Sequence, residues 1–593
     1  MVNGSIEHRK ADTSLSASCL KKETEMKADL VVKNGRIFDG GNALENTAIA
    51  VKEGKFIFVG RDEDIRKYIA EDTKVIDAEG KSILPGFVDA HLHATMCAEL
   101  SATKLIYGID RNEGEERRAY IERVMEPIRQ YAEENPELPI IRSTGWVPAA
   151  FQLDAEGTPT CYEVDELVCA DRPVMLRSFD HHSVLVNSKA LEMAGIDKDT
   201  PTPRNGVMSR DEKGNPTGLF QELSAICMLI DKLPLIDFSV EEYKKGILDF
   251  QKDQAFIHGI MGIFDAYATE NALLAYKELA ESGDLKIRVS TALLADLSKP
   301  FSQFEQMIAD KGKYNVGDDF KIETVKFFCD GGGFTFYMNE PFESQVLKDM
   351  GYPADYRGFP QWTEEEMKEA FLMLAKSGYQ IHVHAMGDAA VKQTLNAFEY
   401  IEENGVKGRR NSIAHIMNID DDDIERMARL NIIGSIQPTW PIIDYFSTTF
   451  IQPLLGRRRM YEQYPIGRMK KAGAVMASGT DFPITVELDP LKGIQVGVTR
   501  TSPKESPHYE EYKGIISGPE DNPTADLMSL DDMIESYTIS GAYQMFTEDI
   551  TGTIEVGKCA DFVILDSVIE ETDPMDIGKI KVDKFFLRGE QVK

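Results

Sequence analysis

The stretch Gly86-Phe-Val-Asp-Ala-His-Leu-His-Ala94 decides how this chain is to be read, because it places two of only ten histidines one residue apart at the end of an apolar run. Successive side chains of a strand alternate between its faces, so His91 and His93 project together and can share a ligand. A metal ion is one such ligand. Two hydrogen-bonded histidines at a strand end are an equal alternative, since so short a pattern carries little information alone.

Working outward, the interior alternates strand-like apolar runs with long helical patterns, as a parallel sheet covered by helices requires. Eight runs read as strands: 82–93, 259–266, 285–294, 322–330, 379–385, 411–416, 432–438 and 474–481. Eight such units predict an α/β fold, a distorted (β/α)8 barrel spanning 84–546. The segment between the first two strands is too long for a crossover loop, which predicts an inserted subdomain at about 100–250. Within it, RPVMLRSFDHHSVLVNSKALEMAGI (172–196) reads as strand, polar turn, strand and helix. At the chain ends, ADLVVKNGRIFDG (28–40) and ADFVILDSVIEE (560–571) share a pattern, and AIAVKEGKFIFVG reads as a hairpin turning at Glu53-Gly54. The two ends, 27–83 and 547–593, are therefore predicted to form one small composite β-sandwich. Residues 1–26 are polar and read as a flexible tail rather than a signal peptide.

Composition narrows the function. Lys and Arg total 66 against 99 Asp and Glu, a net charge of −33, so a nucleic-acid partner would be repelled. No apolar run is long enough for a membrane span. Seven cysteines lack any regular spacing or CxxC, which argues for reduced thiols and a cytoplasmic setting and against a disulfide framework or zinc ribbon. A small-molecule substrate is expected, and a homodimer is left open.

Polar residues recur where a barrel enzyme needs them, at the C-terminal ends of the strands. The first run ends in His91 and His93, the fourth carries Lys326 and Asp330, and the fifth carries His382 and His384. His415 closes the sixth and Asp481 the eighth. Neutral imidazoles and carboxylates bind zinc or similar ions, and an open metal position lowers the pKa of a bound water towards neutrality. Hydroxide would then attack a carbonyl, with Asp481 accepting the proton and passing it to a departing amine.

The motifs PGFVDAHLH, VKFFCDGG, HVHAMGD, IAHI and SGTDFP, in that order, resemble the amidohydrolase superfamily. HAMGDAAV, LRSFDHHSVLVNSKAL, SIQPTW and DPLKGIQVGVTR are similar to the family 3 branch, which includes N-substituted formamide deformylases. The resemblance implies one or two divalent ions, most readily zinc, held by His91, His93, Lys326, His384, His415 and Asp481. It also implies that Lys326 is a CO2-derived carbamate, since a bare ammonium would repel a cation; otherwise Lys326 is a charge for substrate. Where the branch commonly has Asp-Gly-His-Ser, this chain has Asp180-His181-His182-Ser183, which puts the pocket wall supplied by the insertion in doubt. The implied reaction is metal-dependent hydrolysis of a C–N bond other than a peptide bond, an amide or N-formyl or N-acyl amine. A cyclic amidine deaminase, a lactonase or a non-catalytic binding protein on this scaffold are the alternatives. Retention of Asp481 favours an enzyme.

Other residues are weaker candidates. Trp146, His182, Gln437 and Trp440 are read as pocket-lining, though a place in the core serves each at least as well, and Asp330 is read equally as binding substrate or capping the Gly331–Gly333 turn. His382 is expected to support a ligand rather than be one, and His384 to be the ligand. Asp388 is expected to fix a loop, Asp420–Asp423 to begin a helix, and Arg500 to form an ion pair.

Overall fold

A computed structural model describes residues 27–38, 46–109, 111–112, 114–151, 157–179, 181–332, 335–349 and 352–593. The expected tail 1–26, with Cys19, and also Asp180 and Gly333, lie outside the described residues.

Eight parallel strands form one sheet in chain order: β1 (Phe87–Leu92), β2 (Ile260–Asp265), β3 (Arg288–Leu294), β4 (Phe320–Phe328), β5 (Gln380–Ala385), β6 (Ser412–His415), β7 (Ile433–Ile436) and β8 (Met476–Ser478). Nearly all their residues are buried, as a sheet covered on both faces demands. The seam between β8 and β1 is drawn together by backbone hydrogen bonds from Asp481 N to His91 O (2.8 Å) and from His93 N to Phe482 O (2.7 Å). Gly479 permits this approach, because a Cβ there would lie 2.4 Å from the backbone nitrogen of His91. The sheet thus curls into an almost closed barrel.

Between strands the chain forms helices for local reasons. The helix Glu364–Lys376 buries Met367, Ala370, Phe371, Leu374 and Ala375, the spacing of one helical face. Thr363 starts it with a reciprocal cap: its hydroxyl accepts from the Glu366 amide while the Glu366 carboxylate accepts from the Thr363 amide.

One expected strand is in fact two. The run 82–93 breaks at Gly86: Ser82–Pro85 pairs antiparallel with Phe562–Leu565, and only Phe87–Leu92 enters the barrel. Side chains of the two halves serve different cores, which a continuous apolar run does not reveal.

Residues between β1 and β2 contain a six-stranded sheet that includes Ile141–Trp146, Val174–Ser178 and Ser183–Val186, with apolar clusters of its own on either side. At the chain ends, Leu30–Lys33, Ala48–Lys52, Lys55–Gly60 and Lys74–Asp77 make a four-stranded sheet. The hairpin turns at Glu53 and Gly54, both at positive φ (50° and 74°), as its two-residue turn requires. A five-stranded sheet combines Arg36–Ile37 and Ser82–Pro85 with Phe562–Leu565, Val582–Leu587 and Glu590–Gln591. The two sheets share one buried cluster containing Leu30, Val51, Phe56, Phe562 and Phe586.

Candidate metal centre

Strand alternation brings His91 and His93 to the inner face of β1, and the turn after β8 brings Asp481 against them. The Asp481 carboxylate oxygen Oδ1 lies 3.4 Å from His91 Nε2 and 3.3 Å from His93 Nε2. These three residues offer ligand atoms within 4.8 Å of one another, and all three are buried. His91 Nε2, His93 Nδ1 and Asp481 Oδ1 are buried atoms without a hydrogen-bond partner among the described residues. Leaving such atoms unmatched is costly, and a cation would satisfy the imidazole lone pair and the carboxylate together. The donor set therefore fits a divalent metal.

His384 and His415 complete the cluster without joining that trio. Their rings are 4.7 Å apart, and the His91 and His415 rings 4.9 Å. Each has its Nδ1 engaged: His384 with Asp330 Oδ1 (3.1 Å), His415 with Gln437 Oε1 (2.9 Å). Because each of those oxygens accepts, Nδ1 donates and Nε2 is left to accept or coordinate. Trp440 stacks on His415 at 5.4 Å with nearly parallel planes, fixing the ring from its other side.

His382 lies deeper on β5. Its Nε2 is 2.8 Å from His91 Nδ1 and its Nδ1 is 2.6 Å from Ser412 Oγ. With His382 donating to Ser412, its Nε2 accepts from His91 Nδ1, which leaves the His91 Nε2 lone pair facing the site. His382 thus orients a neighbour.

Burial pushes the His91, His382, His384 and His415 pKa values well below the ordinary value; for the first three the Lys326 ammonium is the next cause, and for His415 it is the His384 ring. All four are neutral near pH 7, the form that binds metal. Burial also works against the Asp481 charge, yet His93, His415 and Lys326 together hold its carboxyl below the ordinary value. Lys326 is buried on the inner face of β4, with Nζ 4.8 Å from the Phe328 ring centroid; desolvation lowers its pKa to about 7, against a smaller pull upwards from Asp481.

Several expected positions turn out otherwise. Asp330 is not at a pocket wall: its oxygens receive the amides of Tyr337, Met386 and Gly387 as well as His384. Its burial raises the carboxyl pKa to about 7, with those amides pulling it down. Gln437 is 1% exposed and engaged with His415, so it too supports a ring. Trp146 packs at 6.3 Å against Phe151 in the core of the six-stranded sheet. Arg500 makes no ion pair among the described residues; it is fully buried and donates to the carbonyls of Gln463, Tyr464 and Ser517. His182 does stand near the cluster: its Nδ1 is 3.2 Å from Glu222 Oε2, and its ring lies over Gly332, where a Cβ would come within 2.9 Å. Asp388 accepts from the Asn339 and Ala389 amides, holding its loop.

Other residues escaped the sequence reading. Asp89, two positions before His91, accepts from the His91 amide and from the Thr480 amide and hydroxyl, tying β1 to the turn that carries Asp481. The alternation Asp89, His91, His93 was its signal. Ser412 and Tyr267, whose ring lies 5.4 Å from that of His93, had none.

Residues 74–593 match the model of the amidohydrolase family. YtcJ of Bacillus subtilis (strain 168) is 26% identical over 562 residues, covering 92% of this chain and 95% of its own. The N-substituted formamide deformylase of Arthrobacter pascens is 24% identical over 563 residues, covering 93% of this chain and 95% of its own. Among solved structures, a metal-dependent hydrolase of uncharacterised function from Pyrococcus horikoshii OT3 superposes with a TM-score of 0.68 at 22% identity, over 95% of this chain and 100% of that one, a likeness of fold. With the buried histidine–aspartate cluster at the end of a parallel barrel, the match over most of its length means that this chain belongs to the amidohydrolase family, as a hydrolase acting on carbon–nitrogen bonds.

Proposed function

We propose that the protein hydrolyses the C–N bond of an N-formyl or N-acyl amine, a small molecule, at the cluster formed by His91, His93, Lys326, His384, His415 and Asp481. The observation that carries this reading is the buried trio His91, His93 and Asp481, whose ligand atoms lie within 4.8 Å of one another and in which His91 Nε2 and Asp481 Oδ1 lack a hydrogen-bond partner among the described residues. One or two divalent ions, zinc by preference for such donors, would be held there and would supply Lewis acidity to a carbonyl and to water. Asp481 holds and then releases a proton, since it is ionised and adjoins the reacting space; an amine leaves only when protonated. His382, Asp330 and Gln437 hold the rings that face the site. Likeness to a formamide deformylase supports the amide class over amidine or lactone substrates.

Lys326 is assigned as a carbamate. Its amine, with a pKa of about 7, is substantially unprotonated at neutral pH and can add CO2, turning a repelled cation into an anionic oxygen ligand. Domain boundaries follow: 84–546 is the hydrolase barrel with an insertion at about 100–250, and 27–83 with 547–593 is a composite β-sandwich.

Metal analysis of dialysed protein, followed by a screen of N-formyl and N-acyl amines, tests the assignment. At least one equivalent of metal and release of amine are expected. Well under one equivalent, with no gain on adding zinc or manganese, overturns it. For Lys326, activity after reconstitution free of CO2 and bicarbonate should fall and return on adding bicarbonate; indifference to bicarbonate returns Lys326 to substrate binding.

A further inference from the structure

Beside the histidine cluster lies a cavity of about 1110 Å³, between the ends of β1 and β2 and the inserted sheet. Its wall includes Thr95, Glu99, Arg177, His181, Tyr267 and Lys299, but not the clustered histidines themselves. Tyr267 connects the two spaces, because it lines the cavity and its ring lies 5.4 Å from that of His93.

Arg177 is unusual in this wall. Its side chain is 15% exposed, and its Nε meets the Glu99 carboxylate at 2.9 Å, with Glu99 only 3% exposed. No hydrogen bond to its two terminal nitrogens is made by the described residues. Asp237 accepts from the Tyr243 hydroxyl at 2.6 Å, Asp296 accepts from Ser298, and Lys299 lies between Asp231 and Asp296. A guanidinium cannot shed its charge, and its terminal edge presents donors in a planar fork that matches a carboxylate. Such donors left without acceptors in a sheltered space are costly unless something enters to receive them.

We infer that Arg177 forms a subsite for an anionic group, a carboxylate, on the part of the substrate remote from the bond that is cut. The inference rests on the proposed amide hydrolysis, to which it adds a substrate charge. Glu99 holds the guanidinium from the Nε side and leaves the terminal nitrogens to the ligand. His181 Nδ1 lies 3.6 Å from the other Glu99 oxygen. The net negative charge of the chain makes a local cationic anchor the more necessary for such a substrate.

The test compares N-benzylformamide with its para-carboxylate analogue, which differ only in the anionic group. In the wild-type enzyme kcat/KM should favour the carboxylate by about tenfold or more, the size of a charge-assisted hydrogen bond. Arg177→Met alone would leave Glu99 buried without its partner and could unfold the wall. The double variant Arg177→Met/Glu99→Gln removes both charges, and it should abolish the preference through KM while the neutral formamide is turned over as before. Calorimetric titration with benzoate supplies a readout without turnover: heat of binding in the wild type that is absent from the double variant supports the subsite, even if neither formamide is hydrolysed and the amide reading fails. No wild-type preference, a preference that survives in the double variant, or no benzoate binding to the wild type overturns it.

Discussion

Asp481 follows β8 at positive φ (60°), a backbone state few non-glycine residues adopt, and this turns its carboxylate onto His91 and His93. If it carries the proton, Asp481→Asn should lower kcat by about two to four orders of magnitude while leaving metal bound, as judged by steady-state kinetics beside metal analysis. Wild-type turnover in that variant would assign the proton elsewhere. His382 and His384 make a second comparison at this scale. His384 has Nδ1 on Asp330 and its other nitrogen unassigned, whereas both nitrogens of His382 are taken by His91 and Ser412. His384→Ala should therefore lose more metal on dialysis than His382→Ala; equal losses would put both on the same footing. His181 sits at φ 61°, a conformation glycine adopts at no steric cost.

At the level of elements, the site is carried by strand ends, and helices connect the strands. The helix Glu364–Lys376 precedes β5 and so helps to place His384. Its reciprocal cap satisfies two amides that would otherwise lack partners. Thr363→Ala should cost about 1 kcal/mol of stability, measured by urea unfolding, with kcat unchanged because the strand register is untouched. A loss of kcat out of proportion to stability would mean that the helix start governs the site itself.

For the whole molecule, the chain ends and the barrel are joined by a buried ion pair. Arg288 on β3 donates to Asp561 at 2.6 Å, and Asp561 also accepts from Thr551 and the Arg588 amide. Both charged residues are nearly inaccessible, at 3% and 2% exposure. Removing one partner leaves the other charge buried and uncompensated, so Asp561→Ala should destabilise the protein by about 3–5 kcal/mol in denaturant unfolding. The exposed pair of Arg129 and Glu133 serves as control, since its loss should change stability by less than about 1 kcal/mol. Comparable effects at the two places would show that the junction bears little of the stability.

Much was determined by the sequence alone, because period and order survive without coordinates. The eight apolar runs, the alternation of His91 with His93, the hairpin at Glu53-Gly54, and the order of histidines and aspartate along the chain are local or linear properties, and they indicated a parallel barrel with a polar end. What a local pattern does not carry is which atom of a side chain meets which partner. Gly86 divides one apolar run between two sheets because the next layer on each side differs. Asp330 read equally as a substrate group or a turn cap, and Gln437 as pocket or core, and each is taken by a histidine on the neighbouring strand. Arg500 read as an ion pair, but it is buried where the carbonyls of Gln463, Tyr464 and Ser517 receive its guanidinium. The fork of Arg177 and the cavity it faces exist only because the inserted sheet closes over β1 and β2, a contact between segments far apart in the chain, and such long-range packing leaves no periodic mark in the sequence.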